Sequence, residues 1–317
     1  MAQNITRAAV LAKIETTYGV DAAPTSVADA VLLAGEEGPL WEFVQKTVEA
    51  KVVTPYFGAY TQLLGDQYAK TTIQQELTGF GTAGPASPIA GYDALLQACG
   101  LARTTTTGTK TDYTPISTGH KGATIYDYID GSLWKMPGSR GNLKLRMANG
   151  ENPLLTYEMM SLFAAPSDAA LPTPTVSAYQ RSVLVHPRNT TSFTLHGYGS
   201  ACLDSFDFDM GNQMEYRWPI NCAEQIWPKG ASRSGKVKIE ANTVAQKDWV
   251  TSVKNGVTGA FSITHGQTAG NKIVFTGGKV QLLNPKYSNG GDNSLWLEMD
   301  MVWQPTSGND DFTLSIQ

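Results

Sequence analysis

Three observations predict a mainly β chain, an α+β arrangement with only short helices, in which one β unit occurs twice. Charged residues are 16% of the chain, below the usual quarter, whereas Gly (31) and Thr are abundant; that balance favours strands and turns over long solvated helices. From Asn142 to Phe163, Leu143, Leu145 and Met147 alternate with Lys144 and Arg146. A turn from Ala148 to Pro153 follows, and then Leu155, Tyr157 and Met159 alternate with Thr156 and Glu158. Period-2 alternation of this kind marks a half-buried antiparallel pair. The unit recurs towards the C-terminus: Val280 and Leu282, a turn from Tyr287 to Asp292, then Leu295, Leu297, Met299, Met301 and Trp303 alternating with Trp296, Glu298 and Asp300. A β unit carried twice reads as a duplication.

In chain order, Val10, Leu11 and Ile14 fit one face of a short helical turn, and Ala30 to Leu33 reads as a short strand. Val44 to Val53 and Thr71 to Phe80 read as strands joined by a long aromatic connection through Thr54 to Tyr60. Such a tip suits reaching a neighbour; the bland reading is a surface loop with locally packed tyrosines. Tyr92 to Gly100 reads as a helix, with Leu95, Leu96 and Cys99 on one face and Gly100 as its C-terminal stop. A Thr-rich loop, Arg103 to Thr111, precedes strands at Ala123 to Ile129 and Ser132 to Met136, joined by Asp130-Gly131, a strong hairpin signal.

The second half repeats the order. Ile239-Glu240 stands where Gln75-Glu76 stood, Asp248 to Gly256 echoes the first helix, and Phe261 to Ile263 with Asn271 to Phe275 echoes the Asp130-Gly131 hairpin. Chance likeness between Gly-rich β segments is the competing reading. The predicted organisation is an N-terminal arm (1–40), a first β domain (41–165), a Pro-rich linker (166–192), a second β domain (193–304) and a C-terminal tail (305–317), whose Phe312 to Ile316 reads as a last strand or a docking arm.

The formal net charge of −4 and the absence of any basic block exclude a binder that works by neutralising phosphates. Three scattered cysteines indicate neither a disulfide framework nor a thiolate metal site, and are read as reducing, cytosolic synthesis. No signal-peptide core or membrane-length apolar window is expected. His120, His186, His196 and His265 are isolated. Asp207 and Asp209 share a strand face and suggest a cation site or paired carboxylates; the stronger reading buries Phe206 and Phe208 and leaves the acids facing water. No nucleophile elbow, P-loop or dinucleotide fingerprint is present. No enzyme, cofactor or metal is expected.

The stretch Ala12 to Thr25, Ala-Lys-Ile-Glu-Thr-Thr-Tyr-Gly-Val-Asp-Ala-Ala-Pro-Thr, followed by Ala30-Val31-Leu32, resembles the opening of the tail tube (major tail) proteins of long-tailed bacteriophages. That resemblance implies two tandem tail-tube-like β-sandwich or barrel folds, each flanked by a short helix. It implies a structural virion protein whose homo-oligomeric rings stack into the tail tube, the conduit for DNA ejection, with DNA passing without specific binding. Three chains per ring with pseudo-six-fold symmetry follow if the duplication is real, six if it is not. The implied partners are further copies of the chain and other tail proteins (tape measure, terminator and distal tail); no membrane partner is implied, and the location is the virion tail after synthesis in the host cytoplasm. The connections Thr54 to Lys70 and Trp218 to Arg233 are the expected inter-ring or inter-subunit contacts, with Tyr56, Phe57, Tyr60, Trp218 and Trp227 as aromatic anchors. The competing class is a two-domain β protein that binds carbohydrate or another surface ligand through the same aromatics.

Overall fold

A computed structural model describes residues 3–291 and 293–317. Met1, Ala2 and Asp292, the last of which the sequence assigns to the second turn, lie outside the described residues. Among those described, the first half runs β1 (Ala8–Ile14), β2 (Ala30–Val31), β3 (Trp41–Ala50), β4 (Thr61–Glu76), α1 (Ala90–Ala98), β5 (Leu101–Thr106), β6 (Lys110–Pro115), β7 (Ala123–Ile129), β8 (Ser132–Ala148), β9 (Leu154–Leu162) and β10 (Ser167–Asp168). The second runs β11 (Thr190–Leu195), β12 (Leu203–Asp209), β13 (Asn212–Arg217), β14 (Gln225–Ala231), β15 (Ser234–Glu240), α2 (Trp249–Lys254), β16 (Thr258–His265), β17 (Ile273–Asn289), β18 (Leu295–Trp303) and β19 (Thr313–Ile316). The fold is mainly β, as predicted.

Both predicted alternations form strands, but β17 runs on to Asn289, through the start of the turn predicted from Tyr287, and Leu295 is exposed rather than part of the apolar face. Leu143, Leu145, Met147, Leu155, Tyr157 and Met159 are buried on one face of the β8–β9 pair, and Leu297, Met299, Met301 and Trp303 are buried in β18. The β7–β8 turn holds Asp130 at φ 35° and Gly131 at φ 104°, two consecutive positive values that match the strand twist and suit Asp-Gly. Gly100 (φ 80°) ends α1 by donating to the Gln97 carbonyl. The Asp248 carboxylate caps α2 by accepting from the Thr251 N–H at 2.9 Å.

Two local expectations are corrected. The predicted helical turn at Val10, Leu11 and Ile14 is strand β1, which pairs along its length with β7. Val10 and Ala12 enter the main core while Leu11 packs on Tyr126 and Leu133 in a second cluster. Burial on both faces erases the alternation that would have identified a strand. The Thr-rich loop is the β5–β6 hairpin, which turns at Gly108 (φ 76°), buries Tyr113 and pairs with β19.

Strand pairing follows the same order in both halves. β1 pairs with β7, β7 with β8, β8 with β9, β9 with β4 and β4 with β3; likewise β11 pairs with β16, β16 with β17, β17 with β18, β18 with β15 and β15 with β12. All these pairings are antiparallel. β8 and β17 are the long members, each serving one sheet layer with its first part and another with its second. Between the layers lies one continuous core. It holds Tyr92, Leu95, Leu96 and Cys99 in the first half, and Phe206, Phe208, Phe261, Phe275, Trp303 and Phe312 in the second, with Phe206 and Phe261 ring centres 4.5 Å apart.

Candidate self-assembly interface

The two halves are joined by backbone pairing as well as by the core. The second part of β8 pairs with β12 from Lys144 to Ala148, placing Leu145 opposite Phe208 and Met147 opposite Phe206. Among the described residues this joint produces an uninterrupted antiparallel run of eight strands, β3·β4·β9·β8·β12·β15·β18·β17, four from each half. The run does not close into a barrel within one chain.

One face of this run is the core wall and the other is polar. Period-2 geometry places Asn142, Lys144 and Arg146 of β8 beside Glu158 of β9 and Asp207 and Asp209 of β12, continuing to Lys236 and Lys238 of β15 and Glu298 and Asp300 of β18. Lys144 pairs with Glu158 and lies 3.8 Å from Asp209; Arg146 lies 3.7 Å from Asp207; Asn142 Nδ2 donates to Asp209 at 2.7 Å. The hydrogen bond to Glu158 raises the Lys144 pKa, and half-burial raises that of Asp207 against the opposing pull of Arg146 and Lys236. A groove of about 610 Å³ runs over part of this face, along Lys144, Arg146, Asp207, Asp209, Lys236 and Asp300. Its charges answer one another across the strands, and its aromatic, Phe208, is buried, so the groove offers no stacking platform for a sugar ring. Asp207 and Asp209, the pair that suggested a cation site, are thus engaged by Arg146 and Lys144, with Phe206 and Phe208 buried behind them. Among the described residues no group of three or more His, Cys, Asp or Glu is placed to hold a metal ion. No helix among them is long and apolar enough to cross a membrane.

The run ends in two unpaired edges. Among the described residues no strand pairs with the outer edge of β3, nor with the outer edge of β17 beyond Gln281. Exposed ladders of this kind recruit another strand unless something covers them.

Each half also carries a hairpin arm. In the first half β4 parts from β9 after Tyr68, so that β3 and β4 continue towards the 51–60 connection as a ribbon paired only with itself. A two-stranded ribbon alone is marginal in water. Phe57 is fully exposed (109%), Tyr56 largely so, Tyr60 less, and they share this tip with the exposed Val52 and Val53. Val48, Leu63 and Leu64 extend the exposed apolar surface down the arm. Sequence reasoning missed Leu63 and Leu64 because it began the second strand at Thr71, and it placed Val48 in a strand without marking it as exposed; the apolar doublet Leu63-Leu64 was the available signal.

In the second half the equivalent excursion, β13–β14, is folded over. Gly211 (φ 64°) permits the bend, since a Cβ there would lie 2.0 Å from the Ser232 carbonyl oxygen. The arm then packs on the first half. Ile226 is buried against Leu162, Tyr216 stacks on Tyr68 at 5.5 Å, the Ile226 N–H donates to the Tyr18 hydroxyl at 2.6 Å, and Arg140 donates to the Ile226 carbonyl at 2.8 Å. Burial is the main reason the Tyr18 hydroxyl pKa is raised and that of Arg140 lowered. Trp218 remains exposed in the arm's turn, and Trp227 faces outward with Arg217 over its ring at 5.6 Å. The five predicted anchors therefore sit on two arms, three on the first and two on the second.

A family model described as phage tail tube protein matches residues 6–301, nearly the whole chain. Comparison with curated proteins gives no match.

Proposed function

We infer, from the premise that the chain belongs to the phage tail tube protein family, that its copies polymerise into stacked rings and so build the conduit through which DNA leaves the virion. The family is structural and places the chain in the virion tail. The observation that carries the finer reading is the eight-stranded run, made of two equivalent four-strand units and open at both ends. Three chains then form one ring of pseudo-six-fold symmetry, with residues 41–165 and 193–304 as its two repeated domains, 166–192 as linker, and 1–40 and 305–317 supplying β1, β2 and β19. Such a ring holds twenty-four strands, about 37 Å across at a spacing of about 4.8 Å before strand tilt widens it, which admits a DNA duplex.

The polar face is the lumen wall in this reading. Lys144, Arg146 and Lys238 are already paired with carboxylates and Lys236 stands between Asp207 and Asp300 on the flanking strands, so a passing polyanion finds few uncompensated positive groups to hold it. Tyr56, Phe57, Tyr60, Trp218 and Trp227 supply contacts between copies, and tape-measure, terminator and distal tail proteins meet the tube along its bore and at its ends. Synthesis takes place in the host cytoplasm.

Electron microscopy of the purified protein tests this. Tubes or rings whose class averages, computed without imposed symmetry, contain three chains support it; six whole chains per ring would sink the trimer. A persistent monomer that binds glycans would favour the surface-ligand alternative instead.

A further inference from the structure

Resting on the self-assembly reading above, a more specific conclusion comes from a strand that one half has and the other lacks. β1 and β11 are equivalents: Ile14 stands opposite Ala123 and Leu195 opposite Phe261, and the residue after each, Glu15 or His196, donates its N–H to the carbonyl of Gly122 or Ala260. The outer edge of β1 is covered by β2. There Val10 stands opposite Val31 and Leu11 opposite Ala30, and the Ala12 N–H donates to the Asp29 carbonyl at 2.8 Å. Ala30 and Val31 are buried by this pairing. Among the described residues no strand covers the outer edge of β11.

The cause is the length of one connection. Twenty-six residues, Glu15 to Leu40, join β1 to β3 and supply β2 on the way; only seven, His196 to Cys202, join β11 to β12. Those seven turn straight back, and Tyr198 takes the outward N–H and carbonyl of Leu195. Outward groups recur at every second residue of an antiparallel pair, so the Phe193 N–H and carbonyl point the same way, and among the described residues neither has a partner. Phe193 is buried and lines a groove of about 260 Å³, together with Val185, Pro187, Ala201 and Leu203. A free backbone donor and acceptor beside an apolar groove make a slot for one short extended strand. We propose that this slot receives the tip of the first arm, residues 51–54, of a copy in the adjoining ring, which adds to β11 as β2 adds to β1.

Three observations support the tip as the occupant. Val52, Val53 and Thr54 are β-branched, and Pro55 restricts Thr54 to extended backbone, so the segment is disposed to pair as a strand. Val52 and Val53 are exposed, and among the described residues the backbone of 52–54 makes no hydrogen bond. Position agrees as well. The arm leaves the body at the end of the strands where Tyr68 stands opposite Leu162, and at the usual rise per residue β4 continues roughly 23 Å beyond it. The slot adjoins Asn149 and Leu203, at the other end of the same strands. Rings stacked head to tail bring tip and slot together, whereas the tip points away from the slot of its own chain.

The test uses the full chain with Cys202 and Cys222, both exposed, replaced by Ser, and adds Ser192→Cys on the exposed face of β11. Tubes carrying either Val52→Cys or Val53→Cys as the second change are mildly oxidised and run on a non-reducing gel. Neighbouring residues of a strand point to opposite faces, so one of the two pairs is expected to give at least about tenfold more covalent oligomer than the other. In the unsubstituted chain, hydrogen exchange at the Phe193 amide is expected to slow at least about tenfold on assembly. Tubes whose Phe193 amide exchanges as in the free chain, or that cross-link equally or not at all through the two pairs, overturn the slot and leave the tube reading standing. For a chain that stays monomeric, a synthetic peptide of residues 48–60 decides: slower exchange at Phe193 keeps the slot and sinks the tube, and unchanged exchange overturns both.

Discussion

Arg140 donates through Nη1 to the Ile226 carbonyl at 2.8 Å, pinning the arm of the second half to the body of the first. The same guanidinium donates to the His120 carbonyl at 2.8 Å and stacks on Tyr18 at 4.2 Å. Replacing it by Ala leaves three carbonyls, those of Ile226, His120 and Lys121, without this donor and removes the stacking partner. Arg140→Ala is expected to lower stability by about 2–4 kcal/mol in urea unfolding. Limited proteolysis should then cut first within the arm, near Arg217 or Lys229. Arg140→Lys should recover less than half the loss, because an ammonium lacks the planar fork; full rescue by Lys would show that charge alone holds the arm.

Asp127 carries a second prediction. It is buried in β7 between Val10 and Trp134 on the flanking strands, neither carboxylate oxygen has a hydrogen-bond partner, and desolvation pushes its pKa up to about 8. An acid whose folded pKa lies above its unfolded value of about 4 is more protonated in the folded state. Stability from this group is therefore complete below about pH 4 and is lost as pH rises to about 8. Asp127→Asn should flatten that slope and stabilise the chain at pH 8.5, by up to about 5 kcal/mol. A Tm against pH series on the two proteins reads it directly, and identical slopes would contradict it.

Phe57 separates folding from assembly. Because its ring is fully exposed, Phe57→Asp should change stability by less than about 0.5 kcal/mol. The concentration at which tubes first sediment should nevertheless rise about tenfold or more, as expected of an aromatic anchor. Unchanged sedimentation would remove the tip from the contacts between copies.

The balance of charge on the polar face carries a fourth prediction. Glu158→Gln, Glu298→Gln and Asp300→Asn together leave Lys144, Lys236, Lys238 and Lys286 without much of their compensation. Tubes of this variant should retain duplex DNA at low salt and release it as salt rises, whereas unaltered tubes retain little. Equal retention by the two would mean that this face does not line the bore.

The sequence by itself determined the parts of this protein that obey local rules. The alternation around Lys144, Glu158 and Glu298, the Asp130-Gly131 turn, the Gly100 and Asp248 helix ends and the repeated order of elements all depend on residues within one or two strands of each other, where period and turn chemistry decide the outcome. The Ala12 to Thr25 stretch was enough to suggest the family that the match over residues 6–301 establishes. Only the tertiary structure decided the rest. Val10, Leu11 and Ile14 form a strand because β7, more than a hundred residues on, covers them. Asp207 meets Arg146, and Ile226 meets Arg140 and Tyr18, through pairings between the halves that no local pattern encodes. The two open edges and the lone first arm are also tertiary facts, since an edge is defined by the partner a strand lacks.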